Sequence, residues 1–113
     1  MSELHYHVTL RLFRDEKGFG PGPMRLLRGI ERTGSLRRSA EQMGMAYSKA
    51  WKMLRALEAE WGFAMTEKHA GGAGGGGSSL TPACLDLLSR YERMLAAVER
   101  QAALSFEEHF SDL

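Results

Sequence analysis

A mainly α-helical fold with a small β component is predicted by three features of the sequence. Four segments carry apolar residues at helical spacing, a glycine closes each of the first three, and a glycine run separates two short strand-like segments. The 113 residues suffice for one domain with a modest core. We expect a single domain with an N-terminal strand or hairpin arm (1–22), a helical and hairpin region (23–81), and a C-terminal helix with a tail (82–113).

The composition is that of an ordinary soluble protein, with 43% hydrophobic and 26% charged residues. No apolar run reaches the length of a membrane span, and the N-terminus lacks the basic-then-apolar layout of a signal peptide. The single cysteine, Cys84, has no partner for an internal disulfide, which suits a reducing compartment. We therefore predict a cytoplasmic protein with no membrane partner.

The charge is unevenly distributed, although the net value is only +1. Residues 25–68 hold nine Lys and Arg against five Asp and Glu, whereas residues 80–113 hold three against six. A basic segment followed by an acidic one is typical of a nucleic-acid-binding surface joined to an outward-facing helix.

The N-terminal arm alternates apolar and polar residues from Leu4 to Leu12, which predicts a half-buried strand. Residues 15–18 are turn-forming, and Phe19 is expected to begin a short return strand. Pro23 suits the first position of a helix that Gly34 ends. The apolar stripe of that helix consists of Met24, Leu27 and Ile30.

Two further helices follow in close succession. Ser35 is a good N-cap for a helix of about two turns that ends at Gly44. A longer helix then runs from Tyr47 to Gly62, and the small residue Ala40 stands where the two helices must approach each other. A short helix, a tight glycine turn and a longer helix form a helix-turn-helix, whose second helix can enter a DNA major groove.

The longer helix has two different faces. On a wheel of about 100° per residue, Lys52 and Arg55 lie within about 40° of Ser48, and Lys49 lies about 100° from it. An amphipathic helix with a solvated charged face would look the same, but the preceding short helix and glycine turn favour DNA contact. The opposite stripe is predicted to face the core and consists of Tyr47, Ala50, Trp51, Met53, Leu54, Leu57 and Trp61.

Six of the seven residues from Gly71 to Gly77 are glycine. A linker, a phosphate-binding nucleotide loop and a hairpin tip are the alternatives. The string GAGGGG satisfies GxGxxG, but no helix begins on it and no βαβ unit surrounds it. Strand-like segments around Phe63–His69 and Ser79–Leu80 favour a β-hairpin, or wing, whose bare backbone can approach phosphates beside Lys68 and Ser78. The predicted fold is therefore a winged helix-turn-helix.

The segment from Gly34 to Pro82 resembles the N-terminal domain of ModE-type molybdenum-dependent transcription regulators, which are related to the LysR-type DNA-binding domain. The motifs that carry the resemblance are GSL, SA, MGM-YSKAW, the acid at Glu58, and GGAGGGG followed by LT. The resemblance implies a homodimer bound to a palindromic operator in double-stranded DNA. It also implies that Tyr47, Ser48, Lys49 and Lys52 face the DNA, with Arg37, Arg38 and Ser39 near its backbone.

Two positions of the resemblance carry further expectations. Ala46 stands where the family often has a serine N-cap, so the start of the DNA-facing helix is expected to be frayed. ModE proteins continue into molybdate-binding domains that have no counterpart in this sequence, so we predict no cofactor and no molybdate sensing by this chain. The full predicted DNA-binding set is Ser35, Arg37, Arg38, Ser39, Tyr47, Ser48, Lys49, Lys52, Arg55, Lys68, Gly74, Gly75, Gly76 and Ser78.

The last helix carries an apolar stripe with heptad spacing, which predicts packing against a two-fold partner. Thr81 and Pro82 are its expected N-cap and first-turn proline, and it is predicted to run to Leu104. A capping box at Ser105 to Glu108 suggests a separate short tail helix. The predicted dimer contacts are Cys84, Leu88, Tyr91, Leu95, Val98 and Ala102.

Other chemistry finds little support in the sequence. His5 and His7 share one face of the predicted strand, and with His69, His109 or Cys84 they offer ligands for a metal, but surface histidines are far commoner than metal sites. No nucleophile has a base at recognisable spacing, so we predict neither a metal site nor an enzyme. The alternatives left open are an adaptor of the same fold that does not bind DNA, and a separate effector-sensing partner protein.

Overall fold

Four helices and one two-stranded antiparallel sheet make up the computed structural model, which describes residues 3–14, 16–72 and 75–113. The elements are α1 (Pro21–Thr33), α2 (Leu36–Gln42), α3 (Tyr47–Trp61), β1 (Thr66–Gly72), β2 (Gly75–Leu80) and α4 (Pro82–Phe110). The predicted winged helix-turn-helix is confirmed. None of the helices in the described part of the chain combines the length and apolarity needed to span a membrane.

The helix ends follow the capping residues of the sequence. The Ser35 side chain accepts a hydrogen bond from the Arg38 N–H, and the Thr81 side chain accepts one from the Cys84 N–H, both at 3.1 Å. Gly34 and Gly62 take left-handed conformations at the C-termini of α1 and α3. The N-cap of α3, Ala46, makes no side-chain cap hydrogen bond. These local signals explain why α2 and α3 have the predicted bounds.

The core lies where α1, the helix-turn-helix, the base of the hairpin and the first half of α4 meet. Phe19, from the loop before α1, is fully buried and packs edge-to-face against Tyr91 and Trp61. Burial of hydrocarbon of this kind is the main favourable contribution to folding. The largest fully buried aliphatic side chains are Leu26, Leu27, Ile30, Met65 and Leu88.

A close helix contact joins α1 to α2 at Gly29. A Cβ built on Gly29 would lie 2.0 Å from the Ser39 hydroxyl oxygen and 2.9 Å from the Ser39 Cβ. The Ser39 hydroxyl donates to the backbone oxygen of Leu26 at 2.8 Å, so the contact is also hydrogen-bonded. Ala40, beside it, is buried as predicted.

The N-terminal arm differs from the prediction. Residues 3–11 form no strand, and the expected return strand is reduced to one antiparallel bridge between Leu12 and Phe19. The physical reason is the lack of a neighbour, because β1 and β2 pair only with each other and an extended segment needs a partner for its hydrogen bonds. Leu4 and Tyr6 are consequently exposed.

The last helix differs from the prediction in two respects. It is continuous to Phe110, so the separate tail helix at Ser105 is wrong. Cys84, Leu88 and Tyr91 are wrong as dimer contacts, because the domain's own core buries all three completely. Burial raises the pKa of the Cys84 thiol to about 11 and also raises the pKa of the Tyr91 hydroxyl.

The second half of α4 extends beyond the core. The Cα radius of gyration is 17.3 Å, against about 13 Å for a compact domain of this length. The longest dimension is 59 Å, about twice the next. An ion pair between Arg28 of α1 and Glu92 of α4, with Nε and Oε2 3.2 Å apart, lies near the point where α4 leaves the core. The heptad stripe packs against the core as far as Leu95, and Val98 and Ala102 are half-buried beyond it.

The crossing at Gly29 generates a stability prediction. Gly29→Ala should lower the free energy of unfolding by about 1–3 kcal/mol, because an added methyl group must displace Ser39. Gly22→Ala is the matched control, since a Cβ there has no neighbour within 4 Å. The control should be neutral or stabilising by up to about 1 kcal/mol, because alanine favours helix. Equal denaturant midpoints for Gly29→Ala and the wild type would contradict the close crossing.

Candidate nucleic-acid interface

A groove between the start of α2, the exposed side of α3 and the hairpin is lined by several of the predicted residues. Its volume is about 350 Å³. Ser35, Arg37, Tyr47, Arg55, Lys68 and Ser78 all line it, so the structure brings together six members of the predicted set from four elements. Trp51, Thr66 and His69 line it as well.

One wall of the groove is built by the N-terminus of α2. The Ser35 cap starts the helix so that Arg37 and Arg38 fall in its exposed first turn. The Arg37 guanidinium lies 4.2 Å from the centre of the Tyr47 ring, a cation–π contact between α2 and the start of α3. The arginine is therefore held beside the exposed face of α3 while its N–H groups stay available to solvent.

The opposite wall is fixed by Glu58. Its carboxylate accepts a hydrogen bond from the Met65 N–H at 2.8 Å and pairs with Arg55 at 2.7 Å. The Arg55 guanidinium also lies 5.4 Å from the centre of the Trp51 ring. Glu58 thus connects α3 to the residue before β1 and orients a basic side chain toward the groove. The role of its carboxylate is to position the wing.

The wing is anchored to α1 as well. The Ser78 N–H donates to the backbone oxygen of Gly34 at 2.8 Å, and a Cβ at Gly77 would lie 3.4 Å from that oxygen. Lys68 pairs with Ser78 in the hairpin register, and the ring of His69 is 2.6 Å from the Ser79 hydroxyl. Lys68 and Ser78 therefore reach the groove from a fixed base. Gly75 and Gly76 start β2, whereas Gly74 lies outside the described residues.

Two residues that the sequence assigned to the core are exposed. Tyr47 is 40% and Trp51 45% exposed, and both line the groove. On the helical wheel Trp51 lies about 60° from Ser48, next to Arg55, and this angular position indicated that it is exposed beside the basic face. Their assignment to the core is wrong because periodicity within α3 does not show which neighbours cover an aromatic ring, whereas Tyr47 was also predicted to face the DNA. His69 and Thr66 carried no sequence signal.

Ser39 was predicted to lie at the DNA interface but is buried. It is 1% exposed and its hydroxyl donates to Leu26, so it cannot reach a DNA backbone. Its role is the helix crossing with Gly29. The short helix has one side on α1 and the other in solvent, and Arg37 and Arg38 occupy the solvent side.

Lys49 and Lys52 are exposed, as predicted, but do not line the groove. They lie along the other edge of α3, in a separate cleft beside the loop that precedes α1. Ser48 is exposed at the start of the helix. The solvent-facing side of α3 is therefore flanked by basic residues on both edges, with the wing on one edge only.

The fold and this interface define a winged helix-turn-helix domain with a basic recognition surface. The pattern of the bacterial regulatory helix-turn-helix proteins of the lysR family matches residues 23–85, which include every helix and strand of the interface. The chain belongs to this family of DNA-binding transcription regulators.

The relatives agree with that assignment. The chain is 39% identical over 69 residues to the molybdenum transport protein ModE of Herbaspirillum seropedicae, covering 61% of this chain and 26% of that protein. It is 33% identical over 92 residues to the transcriptional regulator ModE of Yersinia pestis, covering 81% of this chain and 33% of that protein. The chain thus spans only about a quarter to a third of the length of these relatives.

The fold has a counterpart among solved structures. The CbnR_DBD–DNA complex superimposes with a TM-score of 0.56 at 21% identity, covering 73% of this chain and 88% of that chain. At this identity the likeness establishes the fold alone.

The contrast between two serines gives a prediction. Ser39→Ala should lower the free energy of unfolding by about 1 kcal/mol, because it removes a buried hydrogen bond between α1 and α2. Ser48→Ala removes an exposed hydroxyl and should change it by less than about 0.5 kcal/mol. Thermal or chemical unfolding of both variants measures the difference. If the two variants lose the same stability, Ser39 does not serve the helix crossing.

Proposed function

We propose that the protein is a transcription regulator that binds operator DNA as a homodimer, with α3 in the major groove and the hairpin on the adjacent backbone. The observation that carries this proposal is the position of the basic residues. Arg37, Arg55 and Lys68 converge on one groove from three elements, and Lys49 and Lys52 follow the other edge of the same helix. The family of DNA-binding regulators to which the chain belongs supports the same reading.

The chemistry of the residues suggests a division of roles. Arg37, Arg38 and Lys68 are suited to phosphates, since guanidinium and ammonium groups on a rigid frame position a protein on the duplex. Ser48 and Lys49, at the exposed start of α3, are suited to base edges, which a helix can reach in the major groove. Tyr47 and Trp51 offer aromatic edges and faces beside them. Gly75 and Gly76 leave the wing backbone bare for phosphates.

Dimerisation is proposed through the part of α4 that leaves the core. Val98 and Ala102 continue the heptad stripe there and are half-buried within the chain, whereas Leu95 before them packs against the core. Met94 and Leu104, close by, are 49% and 67% exposed. A helix of 29 residues is about 43 Å long, which leaves roughly its second half for a partner. Two-fold pairing would present two α3 helices to a palindromic site.

The names of the relatives suggest a further proposal. ModE is described as a molybdenum transport protein or a transcriptional regulator in those organisms. A role in molybdenum-linked gene regulation is therefore a reasonable proposal for this chain. We assign it no cofactor and leave any effector to a separate partner protein. The same proposal implies that the protein acts in the cytoplasm, where the operator DNA lies.

DNA binding is tested with Lys52→Glu. Lys52 is exposed on α3, so charge reversal should leave thermal stability unchanged but weaken binding to duplex DNA sharply, because it replaces attraction to phosphates with repulsion. Arg93→Glu, on the exposed surface of α4, is the control with the same change of charge. Fluorescence anisotropy at several salt concentrations measures both. An adaptor that does not bind DNA would show little salt-dependent binding in the wild type itself.

The dimer is tested with Ala102→Glu, which places a charge in the proposed seam. Sedimentation velocity should show a shift from dimer to monomer, since a desolvated glutamate without a partner opposes association. Arg100→Glu introduces the same side chain on the opposite side of α4 and should leave the dimer intact. A monomeric wild type, or a dimer that Ala102→Glu does not weaken, would refute this seam.

A further inference from the structure

The segment that precedes α1 contacts the end of α3 and the middle of α4 through residues on either side of position 15. Leu12 and Phe19 exchange two backbone hydrogen bonds, at 2.8 and 2.6 Å, which close the loop. The Tyr91 hydroxyl donates to the backbone oxygen of Leu10 at 2.9 Å. The Arg14 N–H donates to the Glu60 carboxylate at 3.1 Å. Through these bonds Leu10 is joined to α4 and Arg14 to α3, although residues 3–11 form no strand.

Two cations of this loop stand beside α3. Arg11 and Lys17 line a cleft of about 390 Å³ together with Lys49 and Lys52, and all four side chains are exposed. Among the described residues, the rest of the lining is mainly apolar (Gly18, Pro23, Met53, Ala56 and Leu57), and Glu60 is its one acidic member. The cleft therefore gathers four positive charges from two segments far apart in sequence.

The charge is graded along the helix. Glu60, whose carboxylate accepts the Arg14 N–H, lies at the C-terminal end of α3, and Glu16 lies near that end as well. Lys49 is 11 residues before Glu60 and so about 16 Å away along the axis. Lys17 lines an adjoining cleft with Glu16 and Glu60 and so lies toward the acidic end, whereas Lys49 and Lys52 lie nearer the exposed start of α3, which is the end proposed to enter the groove.

We infer that Arg11 and Lys17, with Lys52, form a second phosphate-binding edge on the side of α3 away from the wing. A helix with its side chains is about 10–12 Å wide, close to the width of about 12 Å of the major groove, so phosphates flank it on both sides. The wing and Arg37 serve one strand, and the loop serves the other. This inference rests on the proposed function.

A duplex suits these cations better than a small anion does. Small-molecule sites enclose about 70–90% of their ligand. Here all four cations are exposed to solvent, and Glu60 opposes a free anion at the far end of the cleft. A phosphate backbone, by contrast, stays outside the protein surface and contacts the tips of long basic side chains. The exposure and spacing of the cations therefore favour DNA.

The test uses the double variant Arg11→Gln/Lys17→Gln and a duplex of about 30 base pairs, long enough for two half-sites one helical turn apart. Each lost phosphate contact should reduce the slope of log affinity against log salt by about 0.9 per DNA-bound copy of the chain. For one DNA-bound copy, which loses two contacts, the ratio of wild-type to variant affinity should fall about tenfold as the salt concentration rises from about 50 to 200 mM. Two copies on one duplex double the change in slope.

The matched control is Arg90→Gln/Arg93→Gln, which removes the same charge from exposed positions of α4 and should keep the wild-type slope. Lys17→Gln alone tests the same edge without altering Arg11, and circular dichroism checks that each variant is folded. A wild-type slope in both loop variants overturns the second edge while leaving the proposed function intact. If the loop variants and the control variant lose the same slope, the second edge is also refuted, because the effect then comes from the overall charge of the protein. A wild type without salt-dependent binding overturns the proposed function and this inference together.

Discussion

The contact of Gly29 with Ser39 is the constraint on which the rest of the structure depends. Helices with side chains at both positions would have to stand farther apart, and α2 is only seven residues long. So short a helix has little stability of its own in water, because helix nucleation is unfavourable. Its position is therefore set by the packing on α1 and by the hydrogen bond from Ser39 to Leu26. The turn at Gly44, with a φ of +66°, then sets the direction of α3 relative to α2.

Once α3 is placed, two connections hold the basic surface around it. Glu58 links α3 to the residue before β1, and the Gly34 carbonyl accepts the Ser78 N–H, so the wing is attached to both α3 and α1. On the other edge, Glu60 accepts the Arg14 N–H and holds the preceding loop. The two carboxylates at the end of α3 thus organise cations on either side of it without lying at its exposed start. Preorganisation of this kind lowers the entropy lost when a ligand is bound.

The final helix illustrates how one stripe serves two environments. Up to Tyr91 it completes the core, where Phe19 and the Tyr91 ring pack at 5.0 Å between centroids. Beyond Leu95 it extends past the domain, and the ring of Phe106 has only Tyr6 of the arm and Phe110 as aromatic neighbours among the described residues. A heptad pattern reports only that one side of a helix is apolar. It does not say which surface covers that side, because core packing and helix pairing use the same spacing.

The sequence by itself determined the elements whose signals are local. Capping at Ser35 and Thr81, glycine at Gly34, Gly44 and Gly62, and the hairpin around the glycine run follow from backbone chemistry within a few residues, and each was predictable. Tertiary structure decided what depends on distant neighbours. It buried Ser39 and exposed Trp51, left the arm without a strand partner, divided the stripe of α4 between core and solvent, and placed Arg11 and Lys17 beside Lys49 and Lys52. Burial and charge clustering are properties of residues far apart in the chain, and periodicity within one element carries no information about what packs against it.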